Sequence, residues 1–289
     1  ARGTGVRGLI NIQFAYVSEN LYVIEANPRA SRTVPFVSKA TGVQMAKAAV
    51  LIGLGKSIAE LKAEGYLPSN MDGASLPEET AIAVKAAVLP FARFRTPEGV
   101  VVDSLLSPEM RSTGEVMGLD KHYDTAFAKA QAGAGSPLPT SGKVFISVAN
   151  HDKRNVIIYA KMLESLGFEI VSTGGTAEIL RRNGLNSVIV ASKFAEANGD
   201  HSIVDMVRNG DIDLILNTPA GGAARSDGYE IRAAAVSVGC PVMTTISEFA
   251  AAVQAINALR EHSWDIMSLQ EHGVQLAAAV DARSEGGEA

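Results

Sequence analysis

NIQFAYVSENLYVIEANPRASRTVPF, at residues 11–36, is the most informative segment of the chain. Residues 9–16 and 21–26 are rich in β-branched, aromatic and other apolar side chains, which is typical of strands. Between them lie residues 18–20, Ser-Glu-Asn, whose composition favours a tight reversal. The pattern predicts a β-hairpin close to the start of the sequence.

The predicted hairpin carries a set of polar side chains. If the reversal centres on Glu19, Gln13 lies directly opposite Glu25. Side-chain alternation then places Gln13, Glu25 and Asn27 on one face of the hairpin. Three side-chain oxygens on one face suit a hard cation such as Mg²⁺. The alternative is a solvated polar strand face that binds nothing.

The sequence IEANPRASRTVPFVSKATG, residues 24–42, resembles the signature of the ATP-grasp domains in the large subunit of carbamoyl phosphate synthetase. The resemblance implies that ATP is a substrate and that Mg²⁺ or Mn²⁺ bridges its phosphates. The implied metal ligands are Gln13, Glu25 and Asn27. Arg29 and Arg32 are the implied catalytic residues, because guanidinium groups would bind the anionic substrate or the phosphates.

Composition narrows the class of protein. With 289 residues, 47% of them hydrophobic and 20% charged, the sequence predicts an ordinary globular protein with room for two domains. The net charge of −5 gives no support for nucleic-acid binding. Cys240 is the one cysteine, so no internal disulfide is possible, which fits a reducing cytoplasm. We expect it to be a small buried residue. No apolar run is long enough for a bilayer, so we expect a cytoplasmic protein without a membrane partner.

The pattern of elements predicts an α/β fold in two parts. Residues 1–132 are assigned to a partial ATP-grasp (α+β) subdomain with its connector, and 133–142 to a Gly/Pro/Ser-rich linker. Residues 143–275 form the second domain, and the small, polar tail at 276–289 is expected to be disordered. Five apolar segments alternate with helical ones in the second domain, which predicts an open, mainly parallel five-stranded Rossmann-like sheet.

More detailed expectations follow the same patterns. In the first part we expect a helix closed by Gly53 and Gly55, a strand ending at Leu89, a polar connector at 105–118 and a helix at 120–132 capped by Asp120. The strands of the second domain are predicted at 143–149, 168–173, 187–191, 212–218 and 241–245. Its helices are predicted at about 151–166, 175–183, 201–209, 228–238 and 246–260.

Ligands of parallel sheets bind beyond the carboxyl ends of the strands, and polar residues follow four of the predicted strands. The turn STGGT at 172–176 has exposed amides and hydroxyls at a helix N-terminus, which suits a phosphate. Hydroxyl, amide and lysine side chains at these strand ends include six that are called the pocket residues below: Ser147, Lys153, Thr173, Thr176, Lys193 and Asn217. The alternative for each is ordinary: Thr176 could cap the helix, and the lysines could be solvated surface charges.

The second half is similar to the methylglyoxal-synthase-like domain that closes the large subunit of the same synthetase. The motifs that match are FISVANHDK, STGGTA, SK at 192–193 and LILNTP. The resemblance implies that the six pocket residues surround the phosphate and ribose of a pyrimidine nucleotide effector such as UMP. Pro219 replaces a hydroxyl found in some members of the family. Ala86 and Val242 replace a Glu and a Tyr of ornithine-responsive members, which argues against ornithine activation.

The resemblance implies phosphoryl transfer from ATP to carbamate, in arginine and pyrimidine biosynthesis. The implied partners are the remainder of the large subunit and a glutaminase small subunit. We expect the chain alone to make no carbamoyl phosphate, and effector signals to pass through the linker at 133–142 and the helix that precedes it. One alternative is a methylglyoxal-synthase-like lyase, which Asp200 fits, but the turn NTPAGGAARSD lacks the histidine that such a lyase needs. Another is an isolated nucleotide-sensing module.

Overall fold

The computed structural model describes residues 2–69, 80–93, 102–106, 111–112, 114–192, 202–219, 221–261 and 264–286. The chain divides into two compact units by its contacts. The first comprises Ala1–Ala81 with Asp265–Ala289, and the second comprises Ile82–Trp264.

The first unit contains the hairpin and a small group of helices. Its elements before residue 82 are β1 (Asn11–Val17), β2 (Asn20–Asn27), α1 (Thr33–Thr41), α2 (Met45–Gly53) and α3 (Ile58–Ala63). Helix α1 ends at Gly42, which takes a left-handed conformation with φ 70°. Helix α3 begins with a capping box in which Ser57 and Glu60 satisfy each other's backbone amides.

The hairpin confirms the predicted pairing through a different turn. Ser18 and Glu19 both have positive φ, 47° and 64°, so the turn is a two-residue one and Asn20 already belongs to β2. Such a turn alone would shift the pairing by one residue. A bulge corrects this shift, because the register changes between Gln13 and Phe14. Gln13 therefore pairs with Glu25, as the sequence predicts.

The second unit begins with an antiparallel pair of strands. Strand β3 (Ile82–Val88) pairs with β4 (Gly114–Asp120), and helix α4 (Tyr123–Gly133) packs against both. The predicted strand is confirmed and ends at Val88, one residue before the predicted Leu89. The predicted connector at 105–118 is partly wrong, because β4 begins at Gly114. Asp120 ends β4 and pairs with Lys129, so the predicted cap of α4 is also wrong.

A five-stranded parallel sheet forms the centre of the second unit, with strand order β7-β6-β5-β8-β9. Its strands are β5 (Lys143–Ser147), β6 (Glu169–Ser172), β7 (Ile189–Val190), β8 (Leu214–Asn217) and β9 (Val242–Met243). Its helices are α5 (Lys153–Ser165), α6 (Gly174–Arg182), α7 (Ile203–Arg208), α8 (Gly221–Val238) and α9 (Ile246–Glu261). The α/β fold class and the parallel sheet are confirmed.

Helices cover both faces of this sheet, as alternation along the central strand requires. On β5, Val144 and Ile146 enter a core shared with α4, α5, α6 and α9. Phe145, between them, enters a second core shared with α7 and α8. Burial on both faces explains why the strands are almost continuously apolar.

Two of the domain expectations differ from the structure. The predicted linker at 133–142 lies inside the second unit, where Leu138 is buried in the same core as Phe127 of α4. Gly- and Pro-rich composition marks a turn there, rather than a separation between compact units. The tail expected to be disordered begins at residue 276, and residues 276–286 continue helix α10 (Leu269–Gly286).

Candidate functional sites

The hairpin of the first unit brings two of the predicted metal ligands face to face. Gln13 on β1 and Glu25 on β2 are directly paired, so their side chains leave the same face. Asn27 lies two residues beyond Glu25, and its Nδ2 donates to Glu25 Oε1 at 2.8 Å. The three predicted ligands therefore form one cluster, and Gln13 and Glu25 are exposed.

The donor set of this cluster fits a hard divalent cation. It offers one carboxylate and two amide oxygens, and Mg²⁺ is usually held by one or two carboxylates together with substrate phosphates and water. Across the residues that the structure describes, no group of three or more His, Cys, Asp or Glu side chains could hold a metal ion. Of the three predicted ligands, Glu25 alone carries a charge, so a cation that they hold would depend on its carboxylate.

The two predicted catalytic arginines follow the same strand. Arg29 lies in the turn after β2, where its amide donates to Asn27 O at 2.9 Å and its Nη1 donates to Ala30 O at 3.1 Å. Arg32 occupies the position directly before helix α1. Both side chains are exposed. The turn thus places two cationic side chains within five residues of Asn27 in the chain.

In the second unit, three of the predicted pocket residues lie at neighbouring strand ends. Ser147 ends β5, Asn217 ends β8, and the two residues are paired in the sheet. Thr173 follows β6 on the other side of β5, and its Oγ1 lies 3.2 Å from Ser147 Oγ. Polar side chains from three adjacent parallel strands therefore meet at one edge.

Lys153 supplies a cation at this edge. It is the first residue of α5, and its Nζ lies beside the first turn of α6: a Cβ added at Gly175 would lie 3.3 Å from it. Lys153 has no hydrogen-bond or ion-pair partner among the described residues, while Gly174 and Gly175 are exposed. An unpaired ammonium beside exposed amides at the start of a helix favours an anionic ligand.

Thr176 is buried and bonded to the protein backbone, whereas the sequence indicates a pocket residue or a helix cap. It lies inside α6 rather than at its cap, and it is 2% exposed. Its Oγ1 accepts from the amide of Val148 at 3.4 Å, and Thr218 Oγ1 likewise accepts from the amide of Ala149 at 2.9 Å. Both hydroxyls hold the loop after β5 against the pocket edge. Lys193 and Asp200 lie outside the described residues.

Comparison with known proteins identifies both halves of the chain. Residues 1–61 match the family described as carbamoyl-phosphate synthase L chain, ATP binding domain, and residues 155–244 match the MGS-like domain. A carbamoyl phosphate synthase large chain from Kocuria rhizophila is 70% identical over 94% of this chain. The chain belongs to the carbamoyl phosphate synthase large-chain family. The Streptomyces coelicolor large chain is 56% identical over 97% of it.

The chain spans about a quarter of the length of these relatives: 25% of the Kocuria large chain and 26% of those from Paenarthrobacter aurescens and Streptomyces coelicolor. The two family matches come in the predicted order, the ATP-binding part first.

Among the described residues, no helix is both long and apolar enough to cross a membrane.

Sequence reasoning missed a buried ionic group beside the MGS-like pocket. Arg232 of α8 is completely buried and donates to both carboxylate oxygens of Asp103, at 2.7 Å each. Its Nη1 also donates to Asn217 Oδ1 at 2.9 Å. The signal available in the sequence was one arginine in the otherwise apolar run IRAAAVSVG at 231–239.

Two other titratable groups lie near the sheet. Burial raises the pKa of the Cys240 thiol to about 12, so it stays protonated at neutral pH. The residue is half-buried and packs against the core that contains Phe145. Glu248 in the first turn of α9 accepts from the Thr244 amide at 3.4 Å, and burial raises the pKa of its carboxyl. Ala86 lies in β3 and Val242 in β9, and neither provides a polar side chain.

Proposed function

We propose that this chain contributes two functions to a carbamoyl phosphate synthase large chain. The first unit supplies oxygen ligands for the Mg²⁺ or Mn²⁺ that accompanies ATP, and the second binds a pyrimidine nucleotide effector. The observation that carries the proposal is 70% identity to such a large chain over 94% of this sequence. The hairpin cluster lies within residues 1–61, which match the ATP-binding family. The pocket residues of the second unit lie within residues 155–244, which match the MGS-like family, or directly before them.

In the proposed reaction a phosphoryl group passes from ATP to carbamate. Gln13, Glu25 and Asn27 would hold the cation, which neutralises phosphate charge when bound. Arg29 and Arg32 would bind carbamate or phosphate oxygens by paired N–H donors. Their contribution is positioning and charge neutralisation, so no nucleophilic side chain is needed. The proposed partners are the rest of the large chain and a glutaminase small subunit, in the cytoplasm.

A metal-binding experiment tests the first part of the proposal. We expect Mn²⁺ to broaden the backbone NMR signals of Gln13, Glu25 and Asn27 selectively, since a paramagnetic ion reports weak binding. Glu25→Gln removes the only carboxylate of the cluster, so the Mn²⁺ affinity should fall at least about tenfold. Glu19→Gln at the exposed hairpin turn is the matched control and should leave the broadening unchanged. Equal broadening in both variants would contradict the assignment.

The effector pocket is supported by Lys153, whose Nζ lies 3.3 Å from where a Cβ of Gly175, in the first turn of α6, would be. We expect UMP to bind the chain, and Lys153→Met to weaken its binding about tenfold, because the variant loses a charge-assisted hydrogen bond. Lys161→Met, on the exposed side of the same helix, should bind UMP like the unaltered chain. Isothermal titration calorimetry at a fixed salt concentration measures both. Indistinguishable dissociation constants for the two variants would remove Lys153 from the pocket.

A further inference from the structure

Arg232 determines which way the Asn217 side chain faces. A guanidinium has only donors, so the Asn217 atom that it contacts must be the carbonyl oxygen Oδ1. The amide group Nδ2 is therefore turned away from Arg232. The hydrogen-bond chemistry of the guanidinium therefore decides which end of the Asn217 amide is oxygen and which is nitrogen.

The neighbourhood holds this orientation in place. Asp103 fixes the guanidinium through two bonds of 2.7 Å, and Arg232 is completely buried, so the group has no freedom to rotate into water. Gly228 packs on the contact itself: a Cβ at that position would overlap Arg232 Nη1 and Asn217 Oδ1. The position thus requires glycine in the middle of α8, where an alanine would otherwise be preferred.

The free end of Asn217 belongs to the pocket edge. Nδ2 has no acceptor among the residues that the structure describes, and Asn217 is paired with Ser147, whose hydroxyl contacts Thr173. The side chain is 7% exposed, so only a small opening reaches it. A fixed N–H donor at such an opening recognises an acceptor atom, such as a phosphate, carbonyl or hydroxyl oxygen.

Resting on the effector function proposed above, we propose that Arg232 is a positioning residue that makes Asn217 an obligatory hydrogen-bond donor to the bound nucleotide. Asp103, from the segment between β3 and β4, holds Arg232 in place. The pocket therefore selects a ligand that presents an acceptor to the carboxyl end of β8.

Asn217→Asp separates this role from a merely structural one. The new carboxylate still accepts from Arg232, so the buried contact and the thermal unfolding midpoint should be preserved or raised. It offers no donor to the ligand and places a negative charge in the pocket. We expect the dissociation constant for UMP to rise roughly tenfold or more.

The outcomes are distinguishable. If the unaltered chain binds no UMP at millimolar concentration, the effector function itself is overturned. If it binds UMP and Asn217→Asp binds equally well, the donor role of Asn217 is overturned. A second measurement does not depend on the variant: the Asn217 side-chain amide signals in a ¹⁵N NMR spectrum should shift on addition of UMP. Their failure to move while the Ser147 backbone signal shifts would also overturn the inference.

Discussion

Gly118→Ala should destabilise the second unit by roughly 3 kcal/mol, at the upper end of the cost of overpacking. Gly118 lies in β4 directly under helix α4. A Cβ there would overlap the carbonyl oxygen of Ala126 and lie 2.5 Å from the amide nitrogen of Ala130. These are backbone atoms of a regular helix, so no side-chain rotation can relieve the clash. The helix must move away from the strands, and its contacts with α9 must be lost with it.

Gly133→Ala provides the matched control for this substitution. Gly133 is the last residue of the same helix, and its added Cβ would meet Val116 at ordinary contact distances of 3.5 to 3.8 Å. Chemical denaturation monitored by circular dichroism should show a large decrease in the free energy of unfolding for Gly118→Ala. The same quantity should change little for Gly133→Ala. If the two variants unfold at the same denaturant concentration, α4 does not pack on β4 as closely as described.

Periodic patterns made most of the second unit predictable. The apolar runs around Phe145 and Ile215 are buried on both faces of a parallel sheet, and their spacing with helical segments is enough to infer that sheet. Strand β4 was missed because its sequence, GEVMGLD, contains two glycines and two charges. Gly118 is required by the helix above it, and this need becomes visible only when the strand and helix are packed together.

In the hairpin, the predicted and observed strand pairings agree because two differences from the prediction cancel. A reversal centred on one residue predicts the Gln13–Glu25 pairing, but the true turn has two residues and a bulge restores the register. Neither Ser18 nor Glu19 is a residue that favours positive φ as glycine does, so the turn type was not evident from the sequence. The turn type does not affect the predicted metal ligands, because only the final strand pairing decides which side chains share a face.

The pocket was predictable where it depended on strand ends and unpredictable where it depended on distant packing. Ser147, Thr173 and Asn217 follow strands, so the rule for parallel sheets brings them together. The Asp103–Arg232 pair spans 129 positions in the sequence and carries no local pattern. The expected route for effector signals, the linker at 133–142, was argued from covalent connection alone. Asp103 adds a non-covalent connection between the pocket and the segment after β3.

The buried pair predicts an asymmetric mutational response. Asp103→Leu leaves the fully buried Arg232 guanidinium without its carboxylate, which should cost roughly 3 kcal/mol of unfolding free energy. Arg232→Met should cost roughly half as much, about 1.5 kcal/mol. The Asp103 side chain is 29% exposed and can be solvated when its partner is lost, whereas Asn217 Oδ1 loses a hydrogen bond.

Combining the two substitutions tests whether the cost comes from the loss of Asp103 as a partner of the Arg232 guanidinium. In the double variant the guanidinium is absent, so Asp103→Leu should add little to Arg232→Met and the two effects should be far from additive. The exposed pair Arg182 and Glu178, one turn apart on α6, is the control and should show no measurable coupling. Urea denaturation of the four members of each cycle measures both couplings. Additive effects for Asp103 and Arg232 would mean that the buried guanidinium is solvated or paired elsewhere once Asp103 is gone, and that Asp103 does not hold it toward Asn217.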